Sequence, residues 1–264
     1  MENKETPKYI HTLKSEHLSK GIKPIIACVD THENLKTLED LKNSPDRPTN
    51  VDYYLKPKKM DEKGIKHAGF KTYLISPVNE TNKFSEGFTE CTGVVVAGVD
   101  KETGKNISFL SHEDPFHFLA NPEKFLSDMQ SSLEEMKSRC VPGTIDAIIA
   151  GGNYITEPRR TGRFAKQREA YRNSIALLAR LMESVFGFEP VVIAGPKNVP
   201  GYGDYLFYDT ENRRLHLFRP ETGDTSTESY MPKDFAEQEK KWEKNIYDDD
   251  SPYEDPDDDM FTDG

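Results

Sequence analysis

The chain has 264 residues, 35% of them hydrophobic and 31% charged, and carries a net charge of −11. Nine acidic residues and no Lys or Arg fall within 248–264, so the rest of the chain is almost neutral and predicts no general preference for basic partners. Three cysteines that are far apart in the sequence exclude a disulfide framework, and no apolar run is long enough to cross a bilayer.

The N-terminal part, 1–69, is rich in lysine and repeatedly interrupted by proline. We expect it to be an extension that packs on the main domain. Within it, the apolar run 24–29 predicts a short buried strand, and 34–41 predicts a weakly amphipathic helix. Residues 70–75 predict the next strand, after which polar residues continue to Gly87.

A β-hairpin is predicted in the middle of the chain. Residues 91–99 are rich in β-branched side chains, which is typical of a buried strand. Turn-forming residues follow at 100–104, and 106–111 then predicts the returning strand. In an antiparallel pair the start of the first strand lies beside the end of the second, so Cys91 and His112 are expected to meet.

Two amphipathic helices are predicted in the second half. Asn121 and Pro122 are a favourable N-cap and first residue for a helix whose apolar residues recur every three or four positions. A longer helix covers about 162–186 and is ended by Gly187. Further strands are predicted at 145–150, 190–194, 205–208 and 215–218.

These elements do not alternate regularly, which favours an α+β (mixed α/β) fold with mixed or antiparallel sheets and two long helices packed on them. We assign the main domain to 70–221. The polar and acidic region 222–264 is expected to be a largely disordered tail. Because the N-terminus shows no secretory signal, we expect a cytoplasmic protein, or one delivered into another cell by a signal-independent route.

Cys91 is the cysteine best placed for chemistry. It opens a predicted strand directly after the polar loop 85–90, where a thiol can be exposed on one side and fixed on the other. A nucleophilic thiol needs a neighbouring base, and the hairpin supplies His112. The alternative is a small buried hydrophobe beside three valines, which is also what the surroundings of Cys28 and Cys140 predict for those residues.

The segment from His112 to His117 contains residue types that bind metals. Pro115 prevents a regular helix through it, so the spacing of a helical metal pair is not available, and we expect no metal site.

A second weak signal is the glycine pair Gly151–Gly152, which three arginines follow. Glycines allow close approach of a phosphate, and arginines can bind it, in a phosphorylated ligand or in nucleic acid. These arginines are Arg159, Arg160 and Arg163. No nucleotide-binding motif completes the pattern, so we favour a tight turn with solvated charges and expect no nucleic acid.

The stretch from Cys91-Thr-Gly-Val-Val-Val through Asp100 and Gly104 to His112 resembles the chemoreceptor glutamine deamidase (CheD) family. Later segments follow in the family's order, so that the resemblance covers about 70–220. They are Ala147 to Asn153, Arg172-Asn173, Gly187 to Val191, Gly201 to Gly203 and a final hairpin. Bacterial deamidating toxins such as the cytotoxic necrotizing factors have a similar Cys–His core.

The resemblance implies a cysteine-dependent protein-glutamine deamidase that needs no cofactor. The family's nucleophile position matches Cys91, and its general-base position matches His112. Where the family has a threonine six residues before the cysteine, this chain has Ser85, so Ser85 or Thr89 is expected to orient His112. Backbone N–H groups near Cys91 would stabilise the oxyanion.

The implied partner is a protein that carries an exposed glutamine, with no role for a membrane. A protein of another class is also compatible with the sequence: a catalytically inactive binding protein on the same scaffold, which engages a basic partner through its acidic tail. The reactivity of Cys91 distinguishes the two, because only the enzyme needs an activated thiol.

Overall fold

The structure of the protein is a computed structural model. It describes residues 9–12, 17–31, 40, 43, 48–51, 64, 66–67, 73–88, 91–115, 119, 122–152, 163–193 and 204–219.

Over these residues the chain forms strands and two long helices. The strands are β1 (Tyr9–Thr12), β2 (Ile26–Thr31), β3 (Thr49–Asn50), β4 (Lys66–His67), β5 (Tyr73–Ile75), β6 (Lys83–Phe88), β7 (Gly93–Val99), β8 (Asn106–Glu113), β9 (Asp146–Ala150), β10 (Val191–Ile193), β11 (Asp204–Asp209) and β12 (Arg214–Arg219). The helices are α1 (Pro122–Arg139) and α2 (Arg163–Phe186).

The strands form two six-stranded sheets. The first has the order β1-β2-β12-β11-β6-β3, and the second has the order β10-β9-β7-β8-β5-β4. Both sheets are mixed, since β12 is parallel to β2 but antiparallel to β11, and β9 is parallel to β10 but antiparallel to β7. The predicted α+β class, with mixed sheets and two helices, is confirmed.

The second sheet is the middle layer of the protein. Val94 and Val96 pack with residues of both helices, whereas Val95 and Ala97 pack with residues of the first sheet. Because successive side chains of a strand point to opposite faces, β7 is apolar on both. This explains why its sequence shows a continuous β-branched run and no alternation with polar residues.

The predicted hairpin is present, with β7 and β8 antiparallel and Val99 opposite Asn106. Helix α1 begins at Pro122 as expected. Its last residue, Arg139, lies 2.9 Å from the carboxylate of Asp100, so the end of the helix is tied to the hairpin turn.

No helix among the described residues is long and apolar enough to cross a membrane.

The described parts of 1–69 supply four strands, of which β1, β2 and β3 belong to the first sheet and β4 to the second. Strand β2, which the run 24–29 predicted, pairs along its whole length with β12. The helix predicted at 34–41 lies outside the described residues except for Asp40, and 222–264 lies wholly outside them.

The polar run before Cys91 contains a strand, β6, where the sequence predicted a loop. Its polar residues and glycine are typical of a loop, but they find partners inside the protein: the buried Lys83 donates to Asn79 Oδ1 at 2.6 Å. A bulge in the pairing with β11 and a φ of 82° at Gly87 accommodate the glycine.

Candidate active site

Cys91 and His112 lie near each other on one face of the second sheet. Thr92 bridges to Glu113 in the register of the β7–β8 ladder. Cys91 directly precedes Thr92, and His112 directly precedes Glu113. Because the strands are antiparallel, Cys91 lies diagonally from His112 on the same face of the sheet. Diagonal neighbours have Cα atoms about 7–8 Å apart, which an imidazole ring can span. The antiparallel pairing therefore brings the two ends together as the sequence predicted.

Ser85 fixes the tautomer of His112. Its Oγ lies 2.8 Å from Nδ1 of His112 and donates to the carbonyl oxygen of Val51 at 2.9 Å. A carbonyl only accepts, so the single hydroxyl proton of Ser85 goes to Val51 and the Nδ1–H of His112 donates to Ser85. The lone pair of the ring is then on Nε2, in the form that a general base requires.

The ring of His112 is fully buried between the two sheets. The ring of Phe88 stacks on it, with centroids 4.0 Å apart and an interplanar angle of 19°. Burial lowers the pKa of His112 to about 3, because the charged ring would lose its hydration. The imidazole is therefore neutral near pH 7 and can accept a proton.

The side chain of Cys91 packs in the apolar cluster between the sheets, with only 7% of the residue exposed. The sequence predicted a thiol exposed on one side, and the structure leaves very little of that exposure. The sulfur is therefore scarcely accessible from solvent in this structure.

The glycine pair after β9 forms part of the wall of this site. Gly151 and Gly152 are buried and have φ values of 75° and 74°. A Cβ on Gly152 would lie 2.3 Å from the carbonyl oxygen of Cys91, and one on Gly151 would lie 3.1 Å from Phe88. The hydroxyl of Tyr171 donates to the carbonyl of Gly152 at 3.3 Å. Because neither glycine has a side chain, the chain at the end of β9 can pack against Cys91.

Most of the other residues singled out in the sequence lie outside the described part of the chain. Thr89, His117, Arg159 and Arg160 lie outside the described residues, and Arg163 is the first residue of α2. His112 and Glu113 are consecutive in β8 and point to opposite faces, so they do not converge on one metal. Over the described ranges no group of three or more potential metal ligands is present.

Sequence reasoning missed Phe88, Tyr171 and Gly152 as neighbours of the pair. Phe88 lies within the polar run 85–90, which predicts a loop, so nothing in the sequence indicates that its ring packs beside the pair. Tyr171 falls within the helix predicted over about 162–186, where nothing in the sequence marks its hydroxyl. The glycine pair was visible in the sequence, but nothing in its spacing indicates contact with Cys91.

No protein-family model matches the chain, and none of the curated proteins is similar enough to count as a match.

Proposed function

We propose that the protein is a cysteine-dependent protein-glutamine deamidase, with Cys91 as nucleophile and His112 as general base. The observation that carries this proposal is the hydrogen-bond chain from His112 Nδ1–H through Ser85 to the carbonyl of Val51. It holds a neutral imidazole in the tautomer with a basic Nε2, on the sheet face that also carries Cys91. The resemblance of 70–220 to chemoreceptor glutamine deamidases supports the same assignment.

The reaction begins when His112 Nε2 takes the proton of Cys91 and the sulfur attacks the carboxamide carbon of a glutamine. The tetrahedral intermediate collapses with cleavage of the C–N bond, and His112 returns the proton to the leaving ammonia. Water then attacks the thioester, again losing a proton to His112. Cleavage of the C–S bond, with return of that proton to the sulfur, releases glutamate and regenerates Cys91.

In the closed structure the N–H of Thr92 donates to the carbonyl oxygen of Glu113 at 3.0 Å, so it is not available to an oxyanion in that state. The donors that stabilise the intermediate are therefore other backbone N–H groups near Cys91, or the N–H of Thr92 once this bridge has opened.

One observation favours the alternative, a catalytically inactive binding protein that engages a basic partner through its acidic tail. Cys91 is 7% exposed and packs with apolar residues, as an ordinary core cysteine does. An inactive scaffold would keep the thiol closed at all times, whereas a deamidase must expose it during each turnover.

The test is mass spectrometry of a pool of lysate proteins after incubation with the full chain or with Cys91→Ser. Deamidation converts specific glutamines to glutamates, which changes the mass of their peptides. We expect conversion with the wild type and none with Cys91→Ser. The control is Cys140→Ser, which removes a buried thiol whose pKa burial raises to about 12 and should leave conversion intact.

A pool in which no glutamine changes, combined with alkylation of Cys91 by iodoacetamide no faster than Cys140 in the folded protein, would overturn the deamidase proposal and favour the binding protein. Cys140 is the better reference thiol, because Cys28 lies in register with His216 on the neighbouring strand.

A further inference from the structure

Glu113 lies directly behind the Cys–His pair. His112 points towards the first sheet, where it meets Ser85 and Phe88. The next side chain of β8 therefore points to the opposite face, towards the helices. Glu113 is fully buried there, one residue from the proposed general base.

The backbone of Glu113 ties together the two strand ends that carry the pair. Its N–H donates to the carbonyl of Thr92 at 2.8 Å, and the N–H of Thr92 donates back at 3.0 Å. Cys91 and His112 are the residues next to this bridge. Any change that separates Thr92 from Glu113 therefore also moves the thiol relative to the imidazole.

The side chain of Glu113 is buried without a well-formed hydrogen bond on either carboxyl oxygen. The hydroxyl of Thr92, which lies opposite it, also lacks a well-formed hydrogen bond. Burial raises the pKa of Glu113 to about 8, against a smaller lowering by the hydroxyls of Ser111 and Thr92. An unpaired carboxylate is costly in such a place, so the neutral acid is the form that fits the closed structure.

The surrounding elements bring other titratable groups near this layer. Tyr73 of β5 is the register partner of Glu113, and its phenol donates to Asp128 of α1 at 2.8 Å. Tyr171 of α2 donates to the carbonyl of Gly152. Lys124 of α1 pairs with the same carboxylate of Asp128 at 2.7 Å. His112 and Cys91 lie on the other face of the hairpin.

We propose that protonated Glu113 is a positioning residue that holds the Cys91 end of the β7–β8 hairpin closed, and that loss of its proton opens this end and exposes the thiol. In the closed state the side chain is neutral and buried. In the open state it reaches water and ionises as an ordinary carboxylic acid. Opening is thereby linked to release of one proton, and the inference holds whether or not Cys91 hydrolyses amides.

The first test is the rate of Cys91 alkylation by iodoacetamide as a function of pH, followed by peptide mass spectrometry. Glu113→Gln imitates the neutral acid and cannot ionise. The ratio of the wild-type rate to the Glu113→Gln rate should rise roughly tenfold per pH unit between about pH 6 and 8 and then level off, because one proton is released on opening. The control is Glu102→Gln, an exposed position in the turn of the same hairpin, whose ratio to wild type should be constant.

The second test needs no variant and uses amide hydrogen exchange of the full chain. After correction for intrinsic exchange rates, protection of the Thr92 and Glu113 amides should fall over the same pH range. The amides of Val95 and Leu110, in the middle of the hairpin, should keep theirs, which separates local opening from global unfolding. A constant rate ratio in the first test, or protection that falls equally along the whole hairpin in the second, overturns the proposal.

Discussion

The last two side chains of β8 lie on opposite faces of the sheet and have different hydrogen-bond environments. His112 and Glu113 are consecutive and both fully buried. The histidine meets a hydroxyl whose own proton is committed to a carbonyl, so its ring is held in one tautomer. The glutamate meets hydroxyls without a well-formed hydrogen bond. One face of the strand is thus organised for a neutral base, and the other tolerates an acid only in its neutral form.

The difference shows that burial alone does not organise a site. Burial lowers the pKa of His112 to about 3 and raises that of Glu113 to about 8, so both residues are neutral between these values. Only His112 also has a partner that fixes its orientation. A hydrogen-bond partner with a defined donor is what distinguishes a positioned base from a residue that is merely desolvated.

The largest loss of stability is expected from Gly152→Ala, which tests how tightly the protein is packed on the face that carries His112. The new Cβ would lie 2.3 Å from the carbonyl oxygen of Cys91, and the backbone cannot give way as a side chain would. We expect a loss of about 2–5 kcal/mol of unfolding free energy, from the positive φ and the clash together, measured by urea denaturation. Gly104→Ala is the matched control, since it has a φ of 70° and no atom within 4 Å of the new Cβ. Equal losses in the two variants would contradict the proposed close packing against Cys91.

The dependence of stability on pH separates the two faces directly. His112 has a lowered pKa in the folded state, so stability is lost as the pH falls from about 6.5 to about 3, where the unfolded chain takes up the proton first. Glu113 has a raised pKa, so stability is lost as the pH rises from about 4.5 to about 8, where the unfolded chain releases the proton first. Each effect amounts to a few kcal/mol, on the order of 1.4 kcal/mol per pH unit.

Glu113→Gln isolates the effect of Glu113 on stability, measured by urea denaturation at pH 5 and pH 8. The wild type should lose stability relative to the variant between these values. The comparison with the variant is needed because Lys83 has the opposite effect on the wild type. Burial lowers the pKa of Lys83 to about 7, so this residue makes the protein more stable as the pH rises above that value. Parallel curves for the two proteins would mean that Glu113 ionises normally and is not desolvated.

The sequence predicted the fold and the Cys–His proximity for a physical reason. The β-branched run 91–99, the turn residues after it and the returning strand together specify an antiparallel hairpin, and hairpin register is a local property. The position of Ser85 could be guessed only by resemblance, because β6 belongs to the other sheet and its pairing with β11 spans more than a hundred residues. The burial of Cys91 and Gly152 depends on how the layers stack, which no local pattern records.

The smallest effects come from removing the hydroxyls on the two faces. Ser85→Ala leaves the Nδ1–H of His112 and the carbonyl of Val51 without their shared partner in a buried place, which should cost about 1–3 kcal/mol in urea denaturation. Thr92→Val keeps the shape and removes a buried hydroxyl that has no well-formed hydrogen bond, so its change should stay within about 0.5 kcal/mol. The variants match in burial and differ in whether the hydroxyl is satisfied. If Thr92→Val proved as costly as Ser85→Ala, the helix-facing side would hold a hydrogen-bond network as well formed as that of His112, and the contrast between the two faces would be wrong.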